Sequence, residues 1–271
     1  MGSVSKLIKK RCIVSLVLLL SAVLLPCTFT IVDGRIVYRF TKTYSCSDID
    51  ANDNDLRNLS KLKNVEELRF SSAEMTNIDF VLGMKELRTI LVSSYKITDY
   101  SVLGKCKNLE SVLIHATPID NLESLTCIEQ LQLLCIDQCN NVEDIDDLKN
   151  LKHLKTLRIS SEKIHDISSI SELKELTTLE LSKTNITDIS PLYDCKKLTS
   201  LNLFSNRSLK DISGIEQLDK LESISLSETS IKDFEPLLKL KNLKKVIVSR
   251  GQIDEKIIRE LENKGVTVVM R

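Results

Sequence analysis

Apolar residues recur along this chain in a short template, L-x-x-L-x-L, at almost constant spacing. Nine copies follow one another at steps of 22 residues, or 23 where one residue is inserted near Cys139 and near Asn206. A repeat of this length cannot bury its own apolar face, so the pattern predicts a solenoid in which each repeat packs on its neighbours. The copies begin at Val65, Leu87, Leu109, Leu131, Leu154, Leu176, Leu198, Leu221 and Leu243.

Each repeat also has an internal pattern that predicts its local structure. With the first Leu as position 1, apolar residues recur at positions 4, 6, 11, 14, 17 and 20. Positions 4 and 6 alternate with polar residues, which is typical of a strand with one buried face. The later spacing of three suits tight helical or 3-10 turns. We therefore expect an α/β fold, a right-handed horseshoe with a parallel concave β-sheet and short helical or 3-10 return segments.

Two strings that follow copies of the template are informative about family. These are Ile186-Thr-Asp-Ile-Ser-Pro-Leu192 and Ile231-Lys-Asp-Phe-Glu-Pro-Leu237. In this context, residues 56–253 resemble the 22-residue class of leucine-rich repeats found in internalin-type bacterial surface proteins and in a regulatory subunit of protein phosphatase one. The resemblance implies a surface protein that binds another protein.

The resemblance also implies a specific hydrogen-bonding column. Members of the family often carry Asn at position 9, where its side chain bonds the backbone. Only one repeat has Asn there, so Thr, Cys or water must replace it in the others. The column reads Ala73, Tyr95, Thr117, Cys139, Glu162, Thr184, Asn206, Thr229 and Gly251.

The amino-terminal 32 residues have a different composition from the repeats. A basic segment at 1–11 precedes an uncharged run at 12–32, which is long enough to span about 30 Å of hydrocarbon. The run predicts a transmembrane helix that is retained as an anchor; a cleaved secretory signal and a lipoprotein signal ending at Cys27 are the alternatives. The basic residues before the run favour a cytoplasmic amino terminus, which places the repeats outside.

The remaining boundaries follow from the same columns. Residues 33–55 read as a linker, and a half-repeat from Leu56, with no strand before it, reads as an amino-terminal cap. At the other end, residues 254–271 predict a cap made of a helix with Asp254 as N-cap, then Gly265 and a strand at 266–269.

Charge and cysteine content exclude several classes. The formal net charge is zero, and no basic stripe with interleaved aromatic residues is present, so nucleic acid is not an expected partner. Eight cysteines occur without a zinc-ligand spacing, and we expect neither metal nor cofactor. Only Cys106 with Cys127, on adjacent repeats, is a candidate disulfide.

Candidate binding residues lie at positions 3, 5 and 7, which face outward from the strands. Most are Ser or Thr, but an apolar cluster stands on repeats two to four with polar residues beside it. Such a cluster is typical of a contact site for a partner protein, although cross-strand packing explains apolar residues on a sheet equally well. The predicted partner-binding residues are Leu91, Leu113, Leu133, Cys135, His115, Asp137, Arg158, Glu180 and Phe204.

One column also has the order of a hydrolytic triad. Ser93, His115 and Asp137 stand at position 7 on three adjacent strands, but no oxyanion hole or enclosed pocket accompanies them. The sequence therefore predicts a non-catalytic protein-binding module on the extracytoplasmic side of a membrane, or secreted if the signal is cleaved. An intracellular adaptor like the phosphatase regulator is the second hypothesis, and a hydrolase is the third.

Overall fold

A computed structural model describes residues 29–32, 35–38, 41–46 and 59–271 of the 271-residue chain. Eleven parallel strands form one continuous sheet in which the strands follow one another in chain order, and each of the nine inner strands pairs with the strand before it and the strand after it. The predicted parallel sheet is confirmed. The sheet strands are β3 (Thr43–Cys46), β4 (Glu67–Ser72), β5 (Thr89–Ser94), β6 (Ser111–His115), β7 (Leu133–Asp137), β8 (Thr156–Ile159), β9 (Thr178–Leu181), β10 (Ser200–Asn202), β11 (Ser223–Ser225), β12 (Lys245–Val248) and β13 (Thr267–Met270).

Short 3-10 helices return the chain from one strand to the next, as the spacing of three predicts. An Asp or Asn side chain starts most of them by accepting a hydrogen bond from the backbone N–H two residues later, as Asp188 does from Ser190 at 2.8 Å. Pro191 and Pro236 fit the first turn because that turn has spare N–H groups. The 3-10 helices are Asp79–Gly83, Ser101–Lys105, Glu123–Leu125, Asp146–Asn150, Ser168–Glu172, Ser190–Asp194, Ile215–Gln217 and Glu235–Lys239.

The core fills the space between the sheet and these return segments. All seven inward positions of the sixth repeat are at most 1% exposed, and the same columns are buried in the repeats on either side. Leu179 pairs in register with Leu157 and Leu201, so each core residue packs mainly on its counterparts in neighbouring repeats. The residues of the sixth repeat are Leu176, Leu179, Leu181, Ile186, Ile189, Leu192 and Cys195.

The amino-terminal end of the sheet differs from the sequence prediction. Strand β3 lies within the predicted linker at 33–55 and pairs with β4, so the half-repeat does have a strand before it. Tyr44 and Cys46 are the buried residues of β3, and Tyr44 pairs with Leu68 across a step of 24 residues. A regular step of 22 residues before Phe70 leads to Asp48 as the second inward residue of the strand. Because Asp48 is polar, the apolar pattern does not predict this strand.

The predicted membrane segment at 12–32 is only partly described. Residues 12–28 lie outside the described residues, whereas Phe29–Val32 forms β1, which pairs antiparallel with β2 (Arg35–Tyr38). The last four residues of the predicted helix are therefore a strand, and three of them, Thr30, Ile31 and Val32, are β-branched. In the described part of the chain, no helix combines the length and apolar character needed to cross a bilayer.

The carboxyl-terminal end is closed by helix α1 (Glu255–Asn263) and strand β13. Asp254 is the N-cap, and its carboxylate accepts a hydrogen bond from the Lys256 N–H at 2.6 Å. Gly265 has a φ of 81°, so it supplies the left-handed conformation that ends the helix. Ile257 and Leu261 pack against the last repeat and cover its apolar end.

The cysteines of the described chain are free thiols. Cys127 donates to the carbonyl oxygen of Ser124 at 3.1 Å, while the Cys106 sulfur lies 4.0 Å from the carbonyl oxygen of Val81. The two side chains turn toward different backbone groups, so the disulfide considered for this pair is not formed. Burial raises the pKa of the Cys106 thiol to about 11, which keeps it protonated at neutral pH.

Candidate functional site

One row of side chains on the strand face has an unusual order. At position 5, Arg69 pairs in register with Leu91, then come Leu113 and Cys135, and Cys135 pairs with Arg158. Adjacent parallel strands lie about 4.8 Å apart, so these side chains are direct neighbours. The row therefore consists of three apolar side chains with an arginine at each end, and we call it the apolar row.

The members of the apolar row are less exposed than their outward positions suggest. Leu91, Leu113 and Cys135 are each half-buried, as is Leu133, which lies at position 3 and widens the cluster on β7. Side chains on neighbouring strands cover one another at this spacing. Only the parts of these side chains that stay exposed are therefore accessible to a partner.

An acidic residue lies beside each arginine. Arg69 forms an ion pair with Glu67 at 2.5 Å, and Arg158 lies 3.9 Å from Glu180. Burial is the main cause that raises the pKa of the Cys135 thiol, although the charge of Arg158 acts in the opposite direction. Cys135 is consequently a neutral thiol at pH 7 and contributes to the row as a small apolar group.

The residues of the possible triad are neighbours but do not form a proton relay. His115 Nε2 lies 3.5 Å from Asp137 Oδ2, and Ser93 pairs in register with His115. Among the described residues, the Ser93 hydroxyl makes no hydrogen bond to the imidazole. The His115 and Asp137 side chains are 43% and 51% exposed, so water reaches them freely. Their arrangement suits hydrogen bonding to a partner and lacks the geometry that activates a nucleophile.

Phe204 does not join this group. It lies beyond the end of β10, three repeats from Asp137, which corresponds to about 14 Å at the strand spacing. Its backbone N–H donates to the Asn202 side chain at 3.0 Å, and its carbonyl accepts from the Lys183 N–H at 2.9 Å. These two hydrogen bonds fix the backbone of Phe204, and its half-buried ring lies on the seventh repeat, separate from the apolar row.

The edge of the sheet where the strands end is built in two ways, a difference that was not predicted from the sequence. In three repeats, the inward group is a buried serine at position 8. The Ser94 hydroxyl donates to the carbonyl of Met75 at 3.2 Å, and the Ser161 hydroxyl donates to that of Val142 at 2.6 Å. The residue at position 9 then turns outward: Tyr95 is 71% exposed, and Glu162 is also exposed.

In the other type of edge, the residue at position 8 adopts a positive φ and the residue at position 9 turns inward. Thr117, Cys139, Thr184 and Asn206 occupy that inward site and are at most 4% exposed. They form the hydrogen-bonding column in which Thr and Cys replace most of the asparagines. The residues with positive φ are Ala116 (51°), Gln138 (55°), Lys183 (55°), Ser205 (59°) and Glu228 (58°).

The alternation of the two edge types leaves a groove, which we call the rim groove. Tyr95 on the second repeat and Glu162 on the fifth project outward, whereas position 9 of the third and fourth repeats is recessed. The resulting open groove has a volume of about 690 Å³. It is lined by Tyr95, Ala116, Thr117, Pro118, Asp137, Gln138, Asn140, Asn141, Ser160, Glu162 and Lys183.

The sequence contains a signal for this groove in positions 8 and 9 read together. A serine at position 8 followed by a residue other than Thr, Cys or Asn marks the outward type, as in Ser94-Tyr95 and Ser161-Glu162. The serine at position 8 is uninformative by itself, because Ser205 also stands there but precedes the buried Asn206.

The parallel solenoid with polar outward columns defines a leucine-rich-repeat scaffold, and comparison with known proteins agrees with this class. The family described as leucine-rich repeat region matches residues 108–264. Because this span is more than half of the chain, the chain belongs to the leucine-rich-repeat family. Proteins of this family are protein-binding modules. A search of curated protein sequences finds no match to the chain.

Solved structures show the same fold at low sequence identity. An internalin, InlF, from Listeria monocytogenes gives a TM-score of 0.60 at 24% identity, covering 79% of this chain and 70% of that chain. A leucine-rich-repeat protein of Leptospira interrogans gives 0.68 at 20% identity, covering 78% of this chain and 56% of that chain. FLRT2, in an octameric complex with Latrophilin 3 and Unc5D, gives 0.60 at 15% identity, covering 87% and 84%. The internalin-type resemblance of the fold is confirmed.

Proposed function

We propose that this chain is a non-catalytic binding module for another protein, displayed on the extracytoplasmic side of a membrane, and that it contacts its partner through the apolar row. The observation that carries the proposal is the unbroken order of Leu91, Leu113 and Cys135 between Arg69 and Arg158. An apolar centre with a charged rim is the typical organisation of a protein contact site.

The row also indicates the chemistry of the partner. Leu91, Leu113 and Leu133 each keep part of their surface in water, and covering it releases roughly 25 cal/mol per Å² of apolar surface. Three such side chains contribute a few kcal/mol to one contact. Arg69 beside Glu67 and Arg158 beside Glu180 place a pair of opposite charges at each end of the row, so a partner with polar groups around an apolar patch fits it. These charges affect the association rate and its salt dependence more than the affinity.

The proposal is tested by removing the apolar centre without touching the core. A fragment of residues 41–271, which keeps all eleven strands of the sheet, is used to capture surface proteins and then to titrate the purified partner. Leu91→Ser combined with Leu113→Ser should weaken binding at least about tenfold, because two apolar contacts are lost. The melting temperature should change little, since both side chains lie outside the core.

A matched control uses a leucine on the opposite side of the solenoid. Leu82 lies in the 3-10 helix Asp79–Gly83 and is 49% exposed, so Leu82→Ser removes the same kind of side chain from a return segment. Affinity should be unchanged in this variant. If the Leu82 variant loses binding and the Leu91 and Leu113 double variant retains it, the partner contacts the return segments and the concave-face proposal is wrong.

A further inference from the structure

We propose that the rim groove is a second binding site and that its ligand is a neutral oligosaccharide. The groove lies at the ends of the strands on repeats two to six, beside the apolar row and distinct from it. Its volume of about 690 Å³ falls in the range of about 300–1,000 Å³ that is usual for small-ligand sites. The inference is independent of the proposed protein contact, because none of the leucines of the apolar row lines the groove.

The side chains of the groove determine the ligand class. Three exposed amides, Gln138, Asn140 and Asn141, make no hydrogen bond elsewhere in the described chain. Each amide both donates and accepts hydrogen bonds, as each sugar hydroxyl does, so a hydroxyl-rich ligand can pair with all of them. The carboxylate of Glu162 adds acceptors and the ammonium of Lys183 adds donors at the far end.

One aromatic ring gives the groove its apolar surface. Tyr95 is 71% exposed, although an aromatic ring is normally covered in a folded protein. The face of the ring carries negative charge density, which attracts the C–H groups on the flat side of a sugar ring. A sugar stacked on Tyr95 can direct its hydroxyl groups toward the amides. Apart from Tyr95, the groove offers only Ala116 and Pro118 as apolar lining.

The charges of the groove select a neutral sugar over an anionic one. Asp137 and Glu162 are acidic, and Lys183 is the one basic residue in the lining. A sulfated or carboxylated sugar would bring negative charge toward two carboxylates, which disfavours binding. The length of the groove, about 14 Å from repeat two to repeat five at the strand spacing, accommodates several linked sugar rings.

Tyrosine fluorescence of the full chain gives a direct test, because the chain contains no tryptophan. The probes are neutral hexasaccharides of glucose, N-acetylglucosamine, mannose and galactose, with a heparin hexasaccharide as the anionic comparison. At least one neutral hexasaccharide should change the tyrosine emission and saturate at micromolar to millimolar concentration. A glycoprotein carrying the bound sugar, tested before and after enzymatic removal of its glycans, distinguishes attached glycans from free polysaccharide as the source.

Variants assign the binding to the groove, with calorimetry as the readout where the tyrosine is changed. Tyr95→Ala should weaken binding at least about tenfold, whereas Tyr95→Phe keeps the stacking ring and should stay within about threefold. Asn141→Ala should also weaken binding, and Gln130→Ala, an exposed amide on a return segment, should not. The Leu91→Ser and Leu113→Ser double variant should bind the sugar normally.

Three results would overturn the inference. They are the absence of binding by every neutral hexasaccharide at millimolar concentration, tighter binding of heparin than of any neutral probe, and equal affinities of the wild type and Tyr95→Ala. Because Tyr95 is largely exposed, its replacement should leave the melting temperature unchanged, so a loss of binding cannot be attributed to unfolding. Failure here leaves the protein contact at the apolar row unaffected.

Discussion

Replacement of Asn206 tests whether the buried polar column holds adjacent repeats together. Asn206 is fully buried, and its side-chain amide donates to the carbonyl oxygens of Leu181 at 2.6 Å and Leu203 at 2.9 Å. Its oxygen accepts from the Thr184 N–H at 3.0 Å and from the Thr184 hydroxyl. One side chain thus links its own turn to the previous repeat through backbone groups on both.

The expected cost follows from the groups that Asn206→Ala leaves without this partner. Two carbonyls, one N–H and the Thr184 hydroxyl, all at a buried site, lose a hydrogen bond, and each unsatisfied buried group costs about 1–3 kcal/mol. Partial relaxation reduces the total, so we expect a loss of about 3–5 kcal/mol in the free energy of unfolding. Asn206→Thr should lose less, because Thr117 and Thr184 occupy the same inward site in other repeats.

Asn202, four residues earlier in the same repeat, provides the matched control. It is half-buried on the strand face and accepts one hydrogen bond, from the Phe204 N–H at 3.0 Å, so Asn202→Ala should cost only about 1 kcal/mol. Urea unfolding followed by circular dichroism measures both variants. If the two alanine variants lose the same free energy, or if Asn206→Thr is no better than Asn206→Ala, the buried column does not hold the repeats together as described.

Two further predictions concern acid stability and location. Hydrogen bonds from the Ser168 hydroxyl and then from its N–H lower the pKa of Asp166, and the Ser101 N–H lowers the pKa of Asp99. These carboxylates therefore stabilise the fold above their unfolded pKa of about 3.9. This contribution disappears as the pH falls through their lower folded pKa values. The urea midpoint should therefore vary little from pH 7 to 5 and fall below about pH 4, less steeply in Asp166→Asn, and an unchanged slope in that variant would contradict the assignment. If the run at 12–32 is a retained anchor with the repeats outside, the full-length protein should stay in the membrane pellet after carbonate washing. Protease added to intact cells should then digest the repeats, whereas protection from protease would favour the intracellular adaptor.

Much of the fold could be predicted because its core is periodic. Leu179 and its counterparts Leu157 and Leu201 are apolar in every repeat because each must pack on the next, and this requirement is visible in the spacing. Strand β3 was not predicted because two extra residues shift Tyr44 and Cys46 out of the regular columns. The backbone of β3 nevertheless pairs with β4 across this irregular step. Periodicity detects a strand only where the loop after it keeps its length.

The candidate site could be predicted less well because it depends on how far side chains project. The order of Leu91, Leu113 and Cys135 follows from the register, and the sequence contains it. The recess between Tyr95 and Glu162 depends on whether position 8 or position 9 turns inward. A buried serine at position 8 goes with an outward position 9, and a positive φ at position 8 goes with an inward position 9. The inward side chain thus shifts by one residue between the two alternatives, in a stretch that has no apolar periodicity.

The departures from the repeat template are unevenly placed along the chain. On repeats six to nine the strand face is mostly Ser and Thr, as at Thr178 and Ser223, although the core beneath it is as well filled as in the earlier repeats. Repeats two to five combine the apolar row, the His115 and Asp137 pair and the change of edge type that forms the rim groove. A requirement of stability alone would act equally on every repeat, since each has the same neighbours. The concentration of these features on repeats two to five supports the proposals that these repeats carry the partner contact and the sugar site.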